Sequence, residues 1–121
     1  MISILTSVKK MLGIAEDYEH FDMDLIIHIN SVFFILTQLG VGPSEGFTIQ
    51  DKNAVWSDFI PEEEYLESVK TYVYLKVRMI FDPPLSTTVQ NSMTSLINEI
   101  ESRLSIAAAS EQSDSEEVTL I

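Results

Sequence analysis

The sequence of 121 residues contains no cysteine. Neither a disulfide framework nor a thiolate metal site is therefore possible, and this fits a reducing interior or a particle assembled there. Long apolar runs are also absent, since no stretch approaches the roughly 20 residues that a membrane-spanning helix needs. The first five residues lack a basic segment ahead of a long apolar stretch, so we expect no signal peptide and no membrane contact.

Basic residues are few. Seven lysines and arginines stand against nineteen acids, which gives a formal net charge of −12. A surface of this charge repels phosphate backbones and anionic lipids, so direct binding to nucleic acid is not expected. Hydrophobic residues make up 45% of the chain, which is enough for a packed core in about one domain.

Apolar spacing predicts two helices in the first third of the chain. Ser3 or Thr6 is expected to cap a short helix that Gly13 stops. A second helix is predicted over about 23–39, with Asp22 as its cap. Its main apolar stripe consists of Leu25, Ile26, Ile29, Val32, Phe33, Leu36 and Leu39.

The second helix is apolar on more than one face. Ile27, Phe34 and Ile35 lie off the main stripe. A helix of this kind is usually central in its bundle or shared with a neighbouring subunit.

Two further helices are predicted after Pro61. The third runs from that proline to about Phe81, and residues 82–84 stop it because they contain two prolines. The fourth carries one apolar stripe, formed by Val89, Met93, Leu96, Ile97, Ile100 and Leu104. We therefore predict an all-α fold, a compact bundle of about four helices. It comprises a helical domain over 1–106 and an extended, acidic C-terminal tail over 107–121.

A long irregular connection over 40–61 links the second and third helices. Connections of this length inside a compact domain are uncommon and often functional. Trp56 and Phe59, in a predicted helical turn, are therefore candidates for binding a partner. The alternative is that both side chains pack on the protein's own core.

The C-terminal tail ends in residues that favour β-structure. Val118, Leu120 and Ile121 are candidates for adding a strand to an exposed edge of a partner's sheet. A solvated, dispensable tail is the alternative.

One enzyme class matches part of the sequence. Residues 63–67 fit the first half of the Glu-Glu-x-x-Glu signature of all-helical nucleotide pyrophosphohydrolases, whose carboxylates hold magnesium. The Glu-x-x-Asp that completes that site is missing from the third and fourth predicted helices. We therefore expect no catalytic residue, no metal and no cofactor, and keep the pyrophosphohydrolase as an alternative.

Several runs of sequence resemble the small head–tail connector (adaptor) proteins of tailed bacteriophages. They are Val8–Ile14, Phe21–Ser31, Leu36–Gly42, Tyr72–Arg78 and Phe81–Pro84. Their order and spacing carry the resemblance, which covers most of residues 8–106.

The resemblance implies a structural virion protein, assembled in the host cytoplasm, that catalyses no reaction. It implies a closed ring of about a dozen copies at the portal vertex. The ring would join the portal protein to a head-closure or tail protein, and double-stranded DNA would pass through its lumen without specific binding. A small acidic inhibitor that mimics DNA and binds a host enzyme is the alternative.

Overall fold

The computed structural model describes residues 3–61 and 65–120, with side chains described as far as Ser110. This part of the chain is helical and contains α1 (Ile4–Met11), α2 (Asp22–Gln38), α3 (Trp56–Phe59), α4 (Leu66–Phe81) and α5 (Thr87–Leu120). The all-α bundle is confirmed. Four of these helices are those that the sequence predicts, and α3 is the predicted turn inside the long connection.

Helices α1 and α2 end in the same way, in a motif that glycine makes possible. At the end of α2, Gly40 N donates to Thr37 O at 3.0 Å and Val41 N donates to Leu36 O at 2.9 Å. Gly40 has a φ of 90°, a conformation that costs a residue with a side chain more than it costs glycine. The glycine therefore both stops α2 and turns the apolar Val41 back onto the bundle.

Asp22 does not cap α2, and that prediction is wrong. Phe21 occupies the cap position, and no side chain makes a capping hydrogen bond there. The Asp22 carboxylate instead forms an ion pair with Lys9, whose Nζ lies 2.8 Å from Oδ1. That oxygen accepts no hydrogen bond of normal angular geometry. The contact is therefore stabilised by the attraction between the two opposite charges.

Lys9 is 2% exposed, although it belongs to the charged end of α1. Its Nζ donates to Glu16 O at 2.9 Å and to Tyr18 O at 2.7 Å. A buried ammonium needs such partners because it has left water. The contacts with Glu16, Tyr18 and Asp22 therefore tie the link between α1 and α2 to the end of α1.

Helix α4 lies at the centre of the bundle and packs against both α2 and α5. Its buried residues are Val69, Tyr72, Val73, Leu75 and Val77. The Tyr72 hydroxyl donates to Glu101 Oε2 of α5 at 3.0 Å. The predicted helix start at Pro61 lies ahead of the described start at Leu66, and residues 62–64 are outside the described residues.

Helix α5 continues through Leu120, so the tail is helical where an extended conformation was predicted. Ala107, Ala108 and Ala109 explain the difference, because alanine has the highest helix propensity. Leu104 and Ala108, one turn apart, are both buried, so the apolar stripe crosses the predicted boundary after 106. The division into a domain and a tail stays a prediction.

Candidate interaction surfaces

The connection over 40–61 is anchored to two helices. Ile4 N, at the start of α1, donates to Ala54 O at 2.9 Å. On α2, the side-chain amide of Asn30 donates to Ile49 O at 2.9 Å and accepts from Ile49 N at 2.7 Å. These bonds satisfy backbone groups that would otherwise have no partner in irregular structure. The connection is therefore a fixed part of the surface.

Trp56 and Phe59 are buried in the protein's own core. Their exposed fractions are 5% and 1%. The indole N–H of Trp56 donates to Ser7 Oγ at 2.9 Å, and the Phe59 ring centroid lies 4.5 Å from that of Phe33. Both residues thus follow the alternative of packing on the core, and their contact with a partner stays a prediction.

An apolar groove of about 300 Å³ lies beside Phe59. One wall is the turn after α2, where Gly42 has a φ of 86° and a Cβ added to it would lie 2.4 Å from Phe59 Cε1. The opposite wall is formed by Leu104 and Ala108 of α5. Only a residue without a side chain allows the turn to approach Phe59 this closely, so Gly42 sets the shape of the groove.

The outward side of α2 carries three large apolar side chains. Met23, Ile27 and Phe34 are 71%, 59% and 64% exposed. Intervals of four and seven residues bring side chains to one side of a helix, so these three form one surface, here called the α2 face. The prediction that α2 is apolar on more than one face is confirmed for Ile27 and Phe34, whereas Ile35 is half-buried against the core.

Met23 was not among the predicted off-stripe residues. It occupies the first turn of α2, next to the predicted cap Asp22. The signal that reveals it is its spacing of four from Ile27.

A second exposed apolar surface lies at the start of α5. Leu85, Val89 and Leu96 are 102%, 46% and 41% exposed, and we call them the α5 face. The predicted apolar stripe of the fourth helix includes Val89 and Leu96, and neither of them is buried.

The geometry of α5 explains this exposure. Ile97, Ile100 and Leu104 are buried and join the core. At about 100° per residue, Leu96 lies beside those residues rather than between them. Val89 has nearly the same direction as Leu96 because seven residues make almost two turns. The same helix therefore has a buried side and an exposed apolar side.

Both faces belong to segments without acidic or basic residues. No aspartate, glutamate, lysine or arginine occurs from Leu25 to Ser44 or from Pro83 to Asn98. A protein with a net charge of −12 thus has two surfaces where apolar exposure coincides with the absence of charge. Exposed apolar groups of this kind mark interaction sites when they are contiguous.

The structure describes the three candidate residues of the tail to different extents. The backbone of Val118 and Leu120 is helical, while their side chains and the whole of Ile121 lie outside the described residues. A helical backbone directs its N–H and C=O groups along the helix axis, where they cannot pair with a sheet edge. The extended strand predicted for these residues is therefore not found in the described backbone.

Metal-ligating side chains do not cluster in the described part of the chain. No group of three or more histidine, aspartate or glutamate residues there is placed to hold a metal ion. Of the partial pyrophosphohydrolase signature, the exposed Glu67 carboxylate lies 3.6 Å from Nζ of the half-buried Lys70, whereas Glu63 and Glu64 are outside the described residues. Among the described helices, none is long and apolar enough to cross a membrane.

A family sequence profile with the description "phage connector protein" matches residues 4–111. The chain belongs to this family. The match starts with α1 and extends into the last third of α5, so it includes the whole described core. The resemblance to head–tail connectors is confirmed, and the connector is a structural component of the phage that interacts with head–tail components. Comparisons with curated proteins and with solved structures found no match.

Proposed function

We propose that this connector assembles as a ring around the portal vertex, where it joins the portal protein to a head-closure or tail protein. The observation that carries the proposal is the exposure of Met23, Ile27 and Phe34 on α2. Complete burial of a side chain of this size contributes about 1.5–3 kcal/mol. A neighbouring subunit would supply the burial that the single chain lacks.

A ring also accounts for the charge of the connector. Its net charge of −12 gives the assembled ring a strongly negative field, and DNA has the same sign of charge. Double-stranded DNA would then pass through the lumen without adhering to the wall. The acidic surface thus favours a conduit over a DNA-binding protein.

Contacts with the portal and with the tail side require further surfaces. We assign one of them to the C-terminal end of α5, which carries Val118 and Leu120, together with the Ile121 that follows in the sequence. Another is the apolar groove, because Phe59 forms part of its lining. Trp56 supports that lining from the core, where it packs against α1 through Ser7.

The proposal is tested by mixing the purified connector with DNA-filled, tailless heads and imaging them by electron microscopy. A ring of additional density at a single vertex is the expected result. The positive control is another connector bound to its own heads under the same conditions. Bare vertices beside a successful control would contradict the proposal and favour the acidic inhibitor, which a pull-down from host lysate would then test.

A further inference from the structure

We propose that adjacent copies in the ring contact each other head to tail, with the α2 face of one copy against the α5 face of the next. This inference rests on the proposed ring and specifies its subunit interface. It starts from two exposed apolar surfaces on one chain, Met23, Ile27 and Phe34 on α2 and Leu85, Val89 and Leu96 at the start of α5. The occupant of each face is thus a second copy of this chain.

Electrostatics restricts where two copies can meet. Each copy carries a net charge of −12, so most pairs of surfaces repel each other when they approach. Two like charges 4 Å apart cost about 1 kcal/mol even at the dielectric constant of water, and several times more once water is excluded. The charge-free segments 25–44 and 83–98 avoid this cost, and they contain nearly all of both faces.

Charges at the edges of the two faces differ, because the edge of the α2 face is acidic and the edge of the α5 face carries an ion pair. The exposed Asp24 adjoins Met23, and Glu45 lines a pocket together with Phe34. On α5, Arg103 follows Leu96 by seven residues, so it extends the α5 face by two turns. Its guanidinium is 76% exposed, and it lies 2.6 Å from Glu99 on the same helix.

This arrangement favours two different faces over a pair of identical ones. Two α2 faces in contact would bring Asp24 and Glu45 of both copies together. An α5 face brings the Arg103–Glu99 ion pair, which has no net charge, to those acids. A contact between two different surfaces is heterologous, and a heterologous contact can repeat around a closed ring. A symmetric contact between identical faces would stop at a dimer.

The absence of cysteine permits a direct test by thiol cross-linking. Three variants of the full chain are made, Ser31→Cys on α2, Ser92→Cys on α5 and the double variant. Both serines are exposed and lie within one helical turn of residues of the two faces. Each variant therefore keeps every apolar side chain of both faces and is expected to fold, and its melting temperature confirms this. The variants are bound to DNA-filled heads, treated with a short bismaleimide and separated on a denaturing gel.

The double variant is expected to give a ladder of covalent oligomers, since each copy offers one thiol to each neighbour. Each single variant alone is expected to stay monomeric. An equimolar mixture of the two single variants is expected to give dimers and nothing larger. The matched control is the double variant Lys52→Cys with Ser102→Cys, which places exposed thiols away from both faces and is expected to stay monomeric.

Three results would overturn the inference. Dimers from Ser31→Cys alone would show that the α2 face pairs with itself. Absence of the ladder on heads that carry a visible ring would show that other surfaces form the interface, while the proposed function stands. If no ring forms, the proposed function fails separately, and absence of the ladder in concentrated free protein then overturns the interface as well.

Discussion

The ammonium nitrogen of Lys9 lies 2.8 Å from Oδ1 of Asp22, across the link that joins α1 to α2. The same nitrogen donates to two backbone carbonyls of the link, at Glu16 and Tyr18. The buried Lys9 ammonium thus satisfies backbone groups of the α1–α2 link, as a capping side chain satisfies backbone groups at the end of a helix. The neighbouring Lys10 is exposed, which gives a matched comparison within the same turn.

Lys9→Met is expected to destabilise the protein. Two carbonyls and the Asp22 carboxylate would lose their cation, and the expected decrease in the free energy of unfolding is about 2–4 kcal/mol. Lys10→Met is expected to change it by less than about 0.5 kcal/mol. Urea unfolding of both variants measures the difference, and equal losses would show that the buried contacts of Lys9 contribute nothing specific.

Gly42→Ala tests the close approach of the turn after α2 to Phe59. The substitution combines a positive φ with a Cβ only 2.4 Å from a ring carbon that is itself buried, and it is expected to cost about 2–4 kcal/mol. Gly46→Ala is the control, because Gly46 has a φ of 94° but no atom within 4 Å of the added Cβ. Thermal unfolding that ranks the two variants equally would exclude the steric contribution of Phe59.

Because of Tyr72, the free energy of unfolding is expected to decrease at alkaline pH. Burial, together with the hydrogen bond to Glu101 and the charge of that carboxylate, raises the pKa of Tyr72 well above its usual value. The folded protein therefore keeps the phenol proton at a pH where the unfolded chain loses it. The resulting stabilisation is fully present below about pH 10, the pKa of tyrosine in an unfolded chain, and is lost as the pH rises toward the folded value.

Tyr72→Phe removes that dependence. The variant is expected to lose about 1 kcal/mol at neutral pH because its hydrogen bond is missing. Between about pH 9 and 11 its free energy of unfolding is expected to fall less than that of the wild type. Urea titrations across this range are the measurement, and Tyr74→Phe is the control that keeps Tyr72. Parallel pH profiles for wild type and Tyr72→Phe would contradict the effect.

Trp56→Ala and Phe34→Ala separate core residues from interface residues. Trp56 is buried and hydrogen-bonded, so its removal is expected to cost about 3–5 kcal/mol of folding free energy. Phe34 is exposed, and its removal is expected to change stability by less than about 0.5 kcal/mol while it reduces the fraction of heads that carry a ring. The opposite ranking would make Trp56 the partner contact and Phe34 part of the core.

Removal of residues 111–121 tests the end of α5. Leu104 and Ala108, the last buried residues of the described part, remain, so the melting temperature is expected to stay the same. Attachment to heads is expected to be lost, as counted by electron microscopy. A variant with serine at Val118, Leu120 and Ile121 keeps the length of the tail and is expected to lose attachment too. Normal attachment of both variants would exclude the tail as a binding site.

The ends of the first two helices are predictable from the sequence because local chemistry determines them. Ser3 caps α1 as expected, with Thr6 N donating to its Oγ at 2.9 Å, and Gly13 and Gly40 end α1 and α2. Asp22 shows the limit of such signals. Its carboxylate could either cap the start of α2 or pair with Lys9. Which of these interactions forms depends on the position of α1 in the folded protein.

The candidate surfaces are less predictable, since they depend on how far each neighbouring helix extends. The helical period places Val89 and Leu96 near the buried side of α5, but it cannot show that the packing on α4 uses Ile97, Ile100 and Leu104. In the same way, the aromatic residues of the connection indicate that it packs against an apolar surface, which is either a partner or the protein's own core. The hydrogen bond from Trp56 to Ser7, between residues distant in sequence, identifies that surface as the protein's own.

The hydrogen bonds between α1 and the connection over 40–61 determine when α1 can finish folding during synthesis on the ribosome. Ile4 and Ser7 have their hydrogen-bond partners at Ala54 and Trp56. The N-terminal helix therefore cannot complete its native contacts until the chain has been translated beyond α3. Until then its buried side chains face solvent in the nascent chain, where exposed apolar surface promotes aggregation. Part of the first helix to be synthesised thus stays uncovered until the third helix has been made.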